Sequence, residues 1–108
     1  LIISFDTRDL LECCSSLEIA ERQLGSAHAQ ALVSLIADAE AFENAKELIA
    51  FFGSEAHVAD NDLISLEIGS DYRVEFEAAG FRFFRDVDCR IDWKSVQRLK
   101  VVNLSRFL

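Results

Sequence analysis

The hydrophobic period changes once along the chain, near residue 63. Before it, apolar residues recur at helical spacing; after it, they alternate. "LIISF" at 1–5 reads as a short strand. "DTRDLLECC" then turns helical, with Asp6 or Thr7 as cap and Leu10, Leu11 and Cys14 on one face. "SSLEIAERQLG" restarts a helix, with Ser15 and Glu18 as a capping box and Gly25 as the stop. The plainest helix is 26–42, capped by Ser26, where Leu32, Leu35, Ile36, Ala39 and Phe42 form a stripe of period 3.6. "NAKELIAFFG" gives one more helix, with Asn44 and Glu47 at its start and Gly53 at its end. "SEAHVADND" reads as a polar connector.

From residue 63 the period is two. Ile64, Leu66 and Ile68 share a face, as do Tyr72, Val74 and Phe76. Parity selects the turn between them. A two-residue Gly69-Ser70 loop would set Leu66 against Arg73 and mix the faces. A loop of Gly69, Ser70 and Asp71 pairs Ile68 with Tyr72, Leu66 with Val74 and Ile64 with Phe76, and keeps one face apolar. The other face then carries Ser65, Glu67, Arg73, Glu75 and Glu77. "GFRFFRDVDCR" reads as a turn or short strand, and "IDWKSV" as one helical turn or bend. "QRLKVVNL" is the last strand, with Leu99 and Val101 on one face and Arg98 and Lys100 on the other. Helices followed by antiparallel strands predict one α+β domain over 1–108, with the helices on one face of a small sheet.

Composition narrows the class. The chain has 108 residues, half of them hydrophobic, and no apolar run long enough to span a bilayer. It starts at Leu1 and contains no methionine, so its initiator was trimmed or lies outside this sequence. "LIISF" is apolar but carries no basic n-region and no cleavage site, and the expected location is the cytoplasm. The three cysteines fit a reducing compartment. Cys13 and Cys14 are adjacent, diverge on a helix and form a poor chelate, and Cys89 is remote. They read as small apolar residues, and neither metal nor cofactor is expected.

Charge adds an asymmetry. The net charge is −8, yet residues 81–108 hold seven basic and three acidic residues, while residues 1–80 hold four basic and sixteen acidic. Two readings stand side by side. Arg73, Arg98 and Lys100, with Arg82, Arg85 or Arg106 at the edges, offer a surface to a phosphate backbone. Equally, Glu67 opposite Arg73, with Glu75 and Glu77 beside them, makes an ordinary self-paired sheet face. His28 reads as a surface residue of the long helix. His57, just before the hairpin, is a candidate proton-transfer group.

Three segments taken in order resemble a known family. "ISFDTRDL" at 2–9, "LISLEIGSDYRVEFEAAG" at 63–80 and "IDWKSVQRLKVVNLSRFL" at 91–108 are similar to the RelE/HigB superfamily of bacterial toxins, in the plasmid-maintenance killer-protein branch. That branch has a "YRLxFEPA"-like hairpin end, an "IDW…V" segment and a final strand ending in "DYH". The resemblance implies a RelE-like fold, with N-terminal helices on a small curved, mainly antiparallel sheet. It implies a toxin that cleaves mRNA on the ribosome and is restrained by a cognate antitoxin. Carried over by position, it marks Arg73, Lys100, Arg106 and His57 as catalytic, and the basic face read above adds Arg82, Arg85 and Arg98 as RNA-binding. "DYH" aligns with Arg106, Phe107 and Leu108, which removes its proton-transfer groups, and "FEPA" has become "FEAA". A RelE-like protein that has lost cleavage but still binds an antitoxin or other macromolecule is the alternative. Self-pairing of an exposed strand edge is a further reading.

Overall fold

Alternation over residues 63–78 builds the centre of the fold. In the computed structural model, which describes residues 1–69, 71–80 and 82–106, β3 (Leu63–Ile68) and β4 (Tyr72–Ala78) form an antiparallel hairpin. Its register is the one parity selects: Ile68 opposite Tyr72, Leu66 opposite Val74 and Ile64 opposite Phe76. Ser70 of the predicted loop lies outside the described residues. Strand β5 (Arg98–Arg106) pairs antiparallel with β4. Strand β1 (Ile2–Phe5) pairs parallel with the start of β5, with Ile2 opposite Arg98 and Ser4 opposite Lys100. The stretch read as a polar connector contains a short strand, β2 (Ala56–Val58), on the free edge of β3. It was hidden because three residues give almost no period. The sheet order is β1-β5-β4-β3-β2, a mixed sheet with one parallel pair.

Four helices separate β1 from β2, and the architecture is α+β: α1 (Arg8–Ser15), α2 (Leu17–Leu24), α3 (Ser26–Ala41) and α4 (Ala45–Phe52). Thr7 caps α1, accepting from the Leu10 amide at 3.2 Å. Ser16, not Ser15, caps α2, because its hydroxyl is the one that reaches the Ile19 amide, at 3.4 Å. Gly25, with φ +84°, closes α2 and opens α3, so Ser26 is the first residue of α3 and not its cap. Asn44 caps α4 as its position suggests, accepting from the Glu47 amide at 3.0 Å. The Glu47 carboxylate reaches back to the Glu43 amide.

The inner face of the sheet meets α1 and α3. Ile64, Leu66, Val74, Phe76, Leu99 and Val101 are fully buried there with Leu32 of α3 and Leu48 of α4. In α1 the buried pair is Cys13 and Cys14, while Leu11 is 44% exposed, so the face shifts from the predicted Leu10–Leu11–Cys14 stripe. The cysteines do behave as core residues. Burial pushes both thiols up, Cys14 to about 12, with Cys13 beside it adding to the shift. Among the described residues, no helix is long and apolar enough to cross a membrane.

The described residues between β4 and β5 leave the sheet and return. Arg85 bridges to Ile91, and a 3-10 turn at Trp93–Ser95 follows, capped by Asp92, where a helical turn or bend is predicted. The amide of Ala45 donates to the Val96 carbonyl at 2.9 Å and fastens this return to the start of α4.

Candidate functional site on the open sheet face

The open face collects the side chains that parity turns away from the core. Strand β3 contributes Ser65 and Glu67, and β4 contributes Arg73, Glu75 and Glu77. Strand β5 contributes Arg98 and Lys100 before its register shift. Because β2 joins the edge of β3 with His57 opposite Ser65, His57 stands on this face and not in a loop. His57, Ser65, Glu67 and Arg73 line one shallow hollow. Glu67 faces Arg73 across the hairpin, and its carboxylate lies 3.6 Å from His57 Nε2. The His57 side chain is 62% exposed, so solvent or a ligand can reach the imidazole directly.

Lys100 stands elsewhere on the face. Its ammonium lies 3.2 Å from Glu77, its cross-strand partner, and 3.7 Å from Asp6. The hydrogen bond to Glu77 and that carboxylate's charge hold Lys100 above the ordinary lysine range, with Asp6 adding to the effect. It therefore stays protonated at neutral pH, and two carboxylates already face its charge. Next to it, Asn103 Nδ2 donates to Glu75 at 2.9 Å.

Arg106 is not on this face. The ladder steps from Phe76–Val101 to Glu75–Asn103, leaving Val102 as an extra residue. Simple alternation from Lys100 would put Arg106 beside it. The extra residue reverses the phase, so Leu104 pairs with inward Val74 and Arg106 with Tyr72. The Arg106 guanidinium lies 6.0 Å from the Tyr72 ring, whose edge-on neighbour is His28 of α3. His28 is thus half-buried against the hairpin, where a plain surface position is predicted. Phe107 and Leu108, the remainder of the segment aligned with "DYH", lie outside the described residues.

The arginines of the return loop divide. Arg85 is bound to the Asp62 carboxylate at 3.2 Å and the Cys89 carbonyl at 2.9 Å, which ties the loop to the β2–β3 turn. Arg82 and Arg98 instead line a second hollow, with Ala79, Gly80, Ser95 and Gln97. Of the seven predicted site residues, then, only Arg73 and His57 share the first hollow, and Arg82 and Arg98 share the second. Sequence reasoning treated Glu67 only as a charge partner of Arg73. Its place beside His57 depends on the β2–β3 register, which no local pattern announces.

The arrangement can do limited but definite chemistry. An imidazole, a carboxylate and a guanidinium around one open hollow can accept a proton and face a phosphate. Comparison of the chain with protein-family models, with curated proteins and with solved structures found no match.

Proposed function

We propose that the chain is a RelE/HigB-like toxin of a toxin–antitoxin pair, an endoribonuclease that cuts mRNA on the ribosome at the open face of its sheet. The observation that carries this reading is the convergence of His57, Glu67 and Arg73 on one accessible hollow. The segments resembling that family supply the reaction class. In the reaction, the RNA 2′-oxygen attacks the adjacent phosphorus as the bond to the 5′-oxygen breaks. His57 accepts the 2′-hydroxyl proton, and the Glu67 carboxylate stabilises the imidazolium. Arg73 faces the charge that builds on the phosphate. The departing 5′-oxygen takes its proton from water in the open hollow. The products are a 2′,3′-cyclic phosphate and a 5′-hydroxyl. Lys100 and Arg106 have no direct part, since one is paired with carboxylates and the other lies on the opposite face. A cognate antitoxin restrains the toxin in the cytoplasm.

The test is induced expression in bacteria, with growth and mRNA ends read together. Growth arrest with new 5′-hydroxyl ends, both lost in Arg73→Ala, is expected. Equal arrest by the variant, or arrest without RNA cleavage, overturns the assignment.

A second reading has its own observation. Glu67, Glu75 and Glu77 offset the cations of the same face, and the Lys100 charge is already matched by carboxylates. Such a face suits a RelE-like protein that binds an antitoxin without cutting RNA. Soluble expression without growth arrest, together with capture of the antitoxin encoded next to it, would select this reading.

A further inference from the structure

We infer that Arg82 and Arg98 form a separate cradle for a phosphate group of single-stranded RNA, remote from the His57 hollow, so that the open face grips RNA at two points. The ligand identity rests on the RNA reading above; the site itself does not require cleavage.

The hollow holds about 400 Å³ and is lined by Ala79, Gly80, Arg82, Ser95, Gln97 and Arg98. The decisive observation is that two guanidiniums share one hollow. Lys100, Arg85 and Arg8 each meet a carboxylate. Arg82 and Arg98 have no ion pair among the described residues, and both face one hollow. Two exposed guanidinium forks with no internal partner match the oxygens of a phosphodiester better than any neutral ligand.

The backbone prepares the site. The Arg98 carbonyl accepts from the Ala79 amide at 2.9 Å, so the strand start is fixed. Gly80 has φ +84°, and a Cβ there would stand 3.3 Å from Arg98 Cδ, so the missing side chain leaves room for the arginine stem. Ser95 Oγ accepts from the Phe84 amide at 2.8 Å and donates to the Asp92 carbonyl at 2.6 Å. It shapes the wall, and Gln97 adds an exposed amide.

The two hollows lie at opposite ends of β4. Six residues separate Arg73 from Ala79, about 20 Å of strand. Between them Glu77 and Asp6 share Lys100, and Glu75 is bound only by the uncharged Asn103 amide, so the middle of the face is net acidic and the two ends are separate contacts. RNA long enough to bridge both ends therefore gains a contact that a dinucleotide cannot.

The experiment uses the intact chain and fluorescently labelled single-stranded RNA, read by anisotropy over a range of salt. Arg82→Gln with Arg98→Gln is expected to weaken a long oligomer at least about 10-fold and to lower the salt slope by about 1.4, the value for two lost phosphate contacts. Dinucleotide binding is expected to stay unchanged. Circular dichroism on the double variant confirms that it is folded, and Gly80→Ala, which crowds the Arg98 stem, is expected to weaken the long oligomer in the same direction. Unchanged affinity and slope in the folded double variant overturn the inference, as does a parent chain that binds no RNA. So does competition by polyglutamate as effective as by RNA, which assigns the cradle to an acidic protein segment. If Arg73→Ala abolishes growth arrest while the double variant binds RNA normally, the cradle fails and the toxin reading stands. If the cradle binds as expected but no expression causes arrest, the reverse holds.

Discussion

The two faces of the sheet obey different rules. The inner face is uniform: Ile64, Leu66, Val74, Phe76, Leu99 and Val101 are sealed from water, and each is replaceable only by something of similar volume. The open face is mixed, with charges set in short cross-strand pairs, and its residues contribute little to holding the chain together. The same strands thus carry the fold on one side and the proposed site on the other. A substitution on one face should move stability, and on the other activity.

The sharpest attempt to break this division is Phe76→Ala. It removes the largest fully buried side chain and is expected to cost about 3–5 kcal/mol in urea unfolding, enough to leave the domain marginal. Arg73→Ala, three residues earlier and on the other face, is expected to leave the unfolding midpoint within about 0.5 kcal/mol of the parent. Under the proposed ribonuclease reading, RNA cleavage by this variant should fall by about 10²–10³ in a reconstituted translation assay. If both variants lose stability alike, the division between the faces is wrong. Under the proposed ribonuclease reading, His57→Gln is expected to reduce cleavage by about 10² or more.

Smaller effects sharpen the contrast. Lys100 is held above its ordinary value of 10.5 by Glu77 and then Asp6, so its contribution is present at neutral pH and is lost only as pH rises through that elevated value. Lys100→Gln should lower the melting temperature slightly at low salt, and the difference should fade in high salt and above about pH 10.5. Cysteine labelling makes the last comparison. Cys89 is exposed and should react with a thiol reagent in the folded protein, whereas Cys13 and Cys14 should react only after unfolding. A mass spectrum of the folded protein should show one adduct.

Most of the inner face was legible in the sequence, because alternation is a local signal and one three-residue loop alone keeps Ile68, Leu66 and Ile64 in phase with Tyr72, Val74 and Phe76. The cap at Asn44 was legible for the same reason, and Thr7 as one of two candidates with Asp6. Ser15 and Ser16 were not separable, since adjacent serines offer the same chemistry one residue apart. The open face was legible in membership and not in assembly. Arg73, Glu67 and Ser65 share it by parity, but His57 arrives through the pairing of β2, three residues long. Arg106 was misplaced by Val102. An extra residue in a strand carries no mark in "KVVNL", yet it reverses the side of everything after it. The parallel joining of β1 to β5 spans nearly the whole chain and has no local signature.

That last pairing has a consequence for synthesis. β5 follows every other described element in the sequence, yet it lies between β1 and β4. As the chain emerges from a ribosome, β1 and the β3–β4 hairpin have no strand between them until residues 98–106 arrive, and the facing edges of β1 and β4 wait for their partner. Folding is therefore governed by a long-range closure. It comes after every other described element has been made, and Arg98, half of the proposed cradle, enters with the strand that completes it.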